Sequence, residues 1–273
     1  MKRAHFLLPL LALLMAAPLL AQEKQNDRVT VELTDPSKPV NLECGLVNGS
    51  ITVEGYDGTT VMVEAQTKTR KLSGGEDKKN GMFRIPVTST SLTVEEHNNS
   101  VDIDVASHFR TIDIVVKTPR RANLKLSTVN NGRINVNNIE GEVEAENVNG
   151  RVTLTDIAGS VIASTHNGHL KVTFTRITPD KPMSFASFNG DVDITFPATL
   201  NAEVMFQNEQ GEVYSDFPVD KVEKPRQVVE KNRGKDGKYR VRIENAFYGK
   251  IGTGGPEFKF NNYNGDIFLR KTK

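Results

Sequence analysis

The sequence predicts an all-β fold, a β-solenoid or β-helix-like repeat with about 18–22 residues per coil. Three observations carry that expectation. Glycine returns every nine residues at Gly132, Gly141, Gly150, Gly159 and Gly168. Two residues after each stands an aliphatic side chain (Ile134, Val143, Val152, Val161, Leu170), and two further on another small or apolar one (Val136, Ala145, Leu154, Ala163, Val172), which is the alternation of a half-buried strand. Asn precedes Gly132, Gly150 and Gly168, whereas Glu140 and Ala158 precede the two glycines between, so the full period is eighteen. An antiparallel β meander or sandwich is the alternative, because Asn-Gly between alternating apolar residues favours a type I′ hairpin turn. Two alternating kinds of corner are what a coil requires and a meander does not. Stacked coils put Ile134, Val152 and Leu170 in one interior column, Val143 and Val161 in the facing one, and Asn131, Asn149 and Asn167 in a corner ladder whose amides pair from coil to coil.

The chain has 273 residues. Met1-Lys2-Arg3, the apolar run Phe6 to Leu20 and Ala21 before Gln22 read as a signal peptide over residues 1–21: a basic start, a short apolar core and a small residue at the cut. The run is short for a membrane span, and no second stretch approaches that length. Residues 22–273 are expected to form a single elongated β-repeat domain, exported to the periplasm or the cell surface. Losing Lys2 and Arg3 from 35 basic residues leaves 33 against 34 acidic ones, and that near-neutral balance argues against nucleic acid as a partner. Cys44 is the single cysteine, so no intrachain disulfide can form; its place in the alternating run Val40-Asn41-Leu42-Glu43-Cys44 marks it as a small buried apolar residue.

Strands are expected at Arg28–Glu32 and Val61–Glu64, with a first repeat corner at Gly49 between them, followed by Ile51 and Val53 and echoed nine residues on by Asp57-Gly58. A charged insertion near residues 71–81 reads as a solvated loop. Strands resume at Ser91–Val94, Val101–Val105 and Ile112–Val116, the last ended by Pro119, which has no backbone donor. After the central repeat, Gly190 and Gly211 continue it at spacings of 22 and 21, the extra residues belonging in corners. Gly211 is the weakest copy, with Ser215 where an apolar residue is due; Gly265 is the last. A second insertion, residues 221–242, holds nine basic residues against three acidic ones, and Lys221, Lys224, Arg226, Lys231, Arg233 and Lys235 make it a candidate contact surface for anionic lipid or polysaccharide, or simply a solvated loop.

The stretch from Ile112 through Thr118-Pro119 to the repeat ending at Gly159, and the finish Gly252-Thr253-Gly254-Gly255-Pro256 leading to Tyr263-Asn264-Gly265-Asp266-Ile267, resemble a bacterial domain family of unknown function often labelled "putative adhesin". The resemblance covers most of residues 40–270 and implies an extended strand, a proline and then glycine-spaced β repeats in a secreted protein. The extra Asn130 before Asn131-Gly132 departs from the pattern and leaves the later offsets intact.

Chemistry is sparse. His166 and His169 flank a repeat turn without a third ligand at zinc-like spacing, and the corners lack the aspartates that calcium-binding β-rolls need, so neither a metal nor a cofactor is expected. Asp102, Asp104 and Asp113 are the best carboxylate group for polysaccharide chemistry, yet alternation puts Asp102 and Asp104 where solvent-facing acids ordinarily sit. The Gly252–Gly255 cluster precedes no helix pattern and reads as a turn. The reading is a secreted non-enzymatic β-repeat protein, an adhesin-like envelope or surface interaction scaffold with an envelope protein or glycan as partner. The alternatives are a β-helical polysaccharide-active enzyme and an envelope-stress sensor binding a membrane partner.

Overall fold

Alternation gives each short segment one apolar face, and the chain buries those faces against each other in two facing β layers. The computed structural model describes residues 26–67, 78–79, 82–83, 90–106, 109–223, 227–230, 240–243 and 246–273; the expected signal peptide and most of both charged insertions, with Lys224, Arg226, Lys231, Arg233 and Lys235, lie outside the described residues. In chain order the strands are β1 (Asn26–Glu32), β2 (Val40–Asn48), β3 (Ile51–Tyr56), β4 (Thr60–Thr67), β5 (Lys78–Lys79), β6 (Met82–Phe83), β7 (Leu92–His97), β8 (Ser100–Val105), β9 (Ile112–Pro119), β10 (Ala122–Asn130), β11 (Ile134–Asn149) and β12 (Val152–Asn167). They continue as β13 (Leu170–Ile177), β14 (Met183–Asn189), β15 (Val192–Phe196), β16 (Ala202–Gln210), β17 (Val213–Ser215), β18 (Asp220–Lys221), β19 (Gln227–Glu230), β20 (Arg240–Ile243), β21 (Phe247–Ile251), β22 (Glu257–Asn264) and β23 (Ile267–Lys271). Two pairs stand apart from the layers, β5 with β6 at the end of the first charged insertion and β19 with β20 in the second and just past its end.

Each coil enters an Asn-Gly corner on one layer and leaves on the other. The first layer runs β8, β2, β10, β11, β12, β14, β22, β16, all parallel. The second runs β9, β3, β11, β12, β13, β15, β23, β17, also parallel. Strands β11 and β12 bend at Gly141 and Gly159 and serve both layers. The interior columns follow the nine-residue offsets, with Ile134 paired to Val152, Val152 to Leu170 and Val143 to Val161, all buried. Parallel pairing with an eighteen-residue register, as in Gly141 opposite Gly159, excludes the meander. The structure does contain a type I′-like hairpin, but between β7 and β8, where Asn98 and Asn99 both have positive φ.

Stack order departs from chain order at both ends. The coil of β2 and β3 sits between that of β8 and β9 and that of β10 and β11, although it precedes both in sequence. At the far end the C-terminal coil, β22 and β23, lies between the coil of β14 and β15 and that of β16 and β17. The spacing of 21 from Gly190 to Gly211 is therefore not a coil length: Gly265 stacks on Gly190, and Gly211 on Gly265. The spacing of 22 from Gly168 to Gly190 is one, its extra residues forming the turn between β13 and β14. Asp57-Gly58 lies in the turn that carries the chain past β9, so that β4 returns antiparallel on the side of β9 away from β3, and is not a coil corner; Gly55, within β3, is the glycine that lies against the next coil, beside the Asn138 carbonyl.

The core changes character along the stack. The coils through β12 are filled by Val, Ile, Leu and Ala, whereas Phe174, Phe185, Phe196, Phe258 and Phe260, all fully buried, fill those beyond it. Phe174 stacks on Phe196 at 4.9 Å, Phe185 on Phe260 at 5.2 Å and Phe206 on Phe260 at 5.0 Å. Cys44 is buried as expected, and burial, aided by the Asp104 charge, pushes its thiol pKa up to about 12, which makes it inert.

Candidate functional site

The corners show why glycine recurs. A Cβ on Gly132 would stand 1.6 Å from the Gly49 carbonyl oxygen, and one on Gly159 1.7 Å from that of Gly141, so the coils stack backbone on backbone with no room for a side chain. Gly49, Gly141, Gly150, Gly168, Gly190, Gly211 and Gly265 each lie against the backbone of the adjoining coil in the same way.

Three polar rows stitch the Asn-Gly edge. In the first, Asn149 donates to Asn130 at 3.0 Å, Asn167 to Asn149 at 2.8 Å and Asn189 to Asn167 at 2.8 Å. The row therefore passes through Asn130, and Asn131, expected there, is the inserted residue, held at φ 58°. In the second, side chains inside the edge, all buried except the half-buried Asn208, donate to corner carbonyls: Thr128 to Gly49, Asn147 to Gly132, Thr165 to Gly150, Ser187 to Gly168 and Asn208 to Gly265. These carbonyls are turned away from solvent, and an unmade bond there carries a desolvation cost. In the third, the backbone N–H after a corner glycine meets a side chain of the neighbouring coil: Ser50 on Asp113, Asp191 on His169, Asp266 on Asp191, Glu212 on Asp266.

Outside this stitching, the first layer presents an apolar row to solvent. Register places Val47, Val129, Val148, His166, Phe188 and Tyr263 side by side on successive strands. Four of the six, Val47, Val129, Val148 and Phe188, are 39–41% exposed, and Tyr263 is 43% exposed. The three rings are stacked face to face, His166 on Phe188 at 4.6 Å and Phe188 on Tyr263 at 4.6 Å. Five strand spacings make the row about 24 Å long. Beside it, on the same face, a groove of about 510 Å³ is bordered by Asn41, Lys125, Ile162 and Lys181. Lys125 there bonds Glu43 at 2.7 Å, which raises its pKa, and Lys181 bonds Glu142 at 2.6 Å. Sequence reasoning missed both the buried Thr/Asn/Ser row and the apolar row. Their signal was available: the residue two before a corner glycine is apolar or aromatic at a position that alternation turns outward.

The titratable candidates do not converge. Asp102 and Asp104 point outward from β8, whereas Asp113 lies on β9 in the other layer and accepts the Ser50 N–H at 3.0 Å. His166 belongs to the ring stack, and His169 to the corner row. Among the described residues no group of three or more His, Cys, Asp or Glu could hold a metal ion, and no helix is long and apolar enough to cross a membrane. Gly252 and Gly254 form a turn, with the Thr253 N–H donating to Asn201. Lys221 is exposed on β18 and pairs with Glu223 at 3.2 Å.

Parallel two-layer coils, glycine corners and side-chain rows along one edge define a β-solenoid-like repeat protein. The chain belongs to the Toastrack DUF4097 family, whose model matches residues 15–247 and so ends before the C-terminal coil of β22 and β23. No curated protein shows significant sequence similarity to it. Among solved structures it is similar to a "putative cell adhesion protein" from Clostridium sporogenes ATCC 15579, at 10% identity over 91% of this chain and 99% of that one, with a TM-score of 0.41. It is similar also to a "putative adhesin" from Bacteroides fragilis NCTC 9343, at 11% identity over 91% and 98%, TM-score 0.41. A "putative lipid binding protein" from Parabacteroides distasonis ATCC 8503 shares 11% identity over 92% and 98%, TM-score 0.27. At these scores the likenesses carry no statement about ligand or activity.

Proposed function

We propose that the protein is an exported, non-enzymatic interaction scaffold of the cell envelope, and that the outward apolar row of the first layer is its contact surface. The observation that carries this is the row itself: six neighbouring strands each spend an outward position, where a polar residue costs nothing, on Val, His, Phe or Tyr. Because Phe188 is stacked on both faces and His166 and Tyr263 each on one, the row offers mainly ring edges and methyl groups rather than open ring faces for sugar stacking. That favours a protein partner over a glycan. The placement of Asp113 on the layer opposite Asp102 and Asp104 speaks against a polysaccharide-cleaving site.

The test is site-specific photocrosslinking in the protein's own cells, with the crosslinker at Val148 or Phe188 and, as a control, at Thr153 on the other layer. One reproducible partner captured only from the first layer, and lost in Val129→Lys with Tyr263→Ser at unchanged thermal stability, is the expected result. Equal capture from both layers, or turnover of a polysaccharide by the purified protein, overturns the reading. Deleting residues 221–242 in the same assay separates a role of the basic insertion from that of the row.

A further inference from the structure

The coil of β16 and β17 ends the stack, and its two strands are treated differently. The outer edge of β16 is paired with β21, which in turn pairs with β18. Strand β17 pairs with β23 alone, and it is the one terminal coil strand whose outer edge no other described strand covers. The Ile267 N–H donates to the Glu212 carbonyl and the Asp216 N–H to the Leu269 carbonyl. By the alternation of a parallel ladder, Val213 and Ser215 then turn their N–H and C=O groups to the open side. The interior column running from Ile134 through Ile267 ends at Val213, which is 39% exposed, and neighbouring Tyr214 is 52% exposed. Phe217 plugs part of the core end, and beside it remains a groove of about 520 Å³ lined by Phe206, Val213, Val219, Phe247 and Glu212.

We propose that this edge and groove bind an extended segment of a partner protein, which adds as a strand to β17, seats apolar side chains in the groove and directs basic ones to the acidic rim. The backbone supplies the first argument, since a bare edge over an apolar groove is a template for strand addition. Charge supplies the second. Among the described residues, Glu212 on the groove and Glu209 at the corner have no cation within ion-pairing distance, unlike Asp193, which holds Arg270 at 2.7 Å. The same carboxylates disfavour a second copy of this chain as occupant, because edge-to-edge pairing would bring like charges together. The fold itself supplies the third: at the three other terminal coil edges an antiparallel strand completes the layer, β7 on β8, β4 on β9 and β21 on β16.

The inference rests on the scaffold reading and refines the class of its partner. Its test uses the purified full chain with a blocked hexapeptide alternating arginine and valine, read by fluorescence anisotropy and by amide hydrogen exchange. Saturable binding that protects the Val213 and Ser215 amides is expected, weakened about tenfold by Glu212→Lys and by replacing the peptide's valines with serine. A Val213→Lys variant, which fills the groove mouth with charge, guards against a Glu212 variant that misfolds and is expected to bind no peptide while melting normally. Unprotected amides, equal binding of the serine peptide, or protection that depends on protein concentration without peptide overturns the proposal. Peptide binding without partner capture in cells would overturn only the scaffold reading; capture through the apolar row without peptide binding would overturn only this one.

Discussion

The two ends of the stack solve one problem in different ways. At the first end both layers are covered: β7 lies on β8, and β4 with β1 beyond it lies on β9. The caps are then tied across the core, the Thr90 N–H and hydroxyl donating to Asp27, the Thr34 N–H and hydroxyl to Glu96, and Asn99 to the Asp35 carbonyl at 2.6 Å. At the other end, among the described strands, only the first layer is covered. One interior column makes the contrast plain, because it begins at Ile114, fully buried, and finishes at Val213, open to solvent. The lesson is that a solenoid closes when strands cover both of its layers, and that covering one leaves a directional edge available for recognition.

The largest effect that would break this comparison comes from that column. Ile114→Ala is expected to destabilise by about 2–5 kcal/mol, the range for a buried aliphatic truncation, whereas Val213→Ala at the open end is expected within about 0.5 kcal/mol; urea midpoints measure both. Equal losses would mean the second end is closed in solution. Next comes the corner joining the interleaved first coil to the regular middle. Gly132→Ala puts a Cβ against the Gly49 carbonyl and is expected to cost about 1–3 kcal/mol as overpacking, while Gly45→Ala, whose Cβ would meet only the Ser127 hydroxyl at 3.2 Å, should melt close to wild type by calorimetry. Smaller still is the buried row. Thr165→Val removes the donor to the Gly150 carbonyl and is expected to lower stability by about 1 kcal/mol, with faster amide exchange confined to the neighbouring coils.

The smallest effect distinguishes the ends by pH. Hydrogen bonds from Thr90 hold the Asp27 carboxyl below its ordinary pKa, and the Asn99 and Thr34 N–H groups do the same for Glu96. Carboxylates with lowered folded-state pKa contribute stability that is present above the unfolded values of about 3.9 and 4.3 and is lost as pH falls through the folded ones. Below about pH 4 hydrogen exchange is therefore expected to quicken in β1 and β7 before β21, after correction for intrinsic rates. Simultaneous loosening of both ends would remove the assigned role from these bonds.

Most of the repeat was legible without coordinates, and for a local reason. A corner that stacks backbone on backbone admits glycine whichever coil lies above it, and an interior column asks for an apolar side chain whichever coil supplies it; Gly150, Val152 and Leu154 satisfy both demands within five residues. The same indifference hid the order of stacking. Since the coils of Gly49 and Gly265 offer the same corner and the same columns as their neighbours, nothing local says that each belongs one place in from its end. The Asn130 step and the Asp57-Gly58 turn were misread because an inserted residue and a turn between strands share the Asn/Asp-Gly vocabulary of a corner. Ser215 looked like a decayed copy; in the folded chain it is polar because the column it ends faces water. The sequence by itself determined the coil, its corners and the apolar filling, through contacts repeated every eighteen residues. Only the tertiary structure decided which coil lies on which at the two ends and which edge stays bare among the described strands, because those depend on closing contacts between residues more than fifty positions apart, such as Gly190 with Gly265 and Val213 with Ile267.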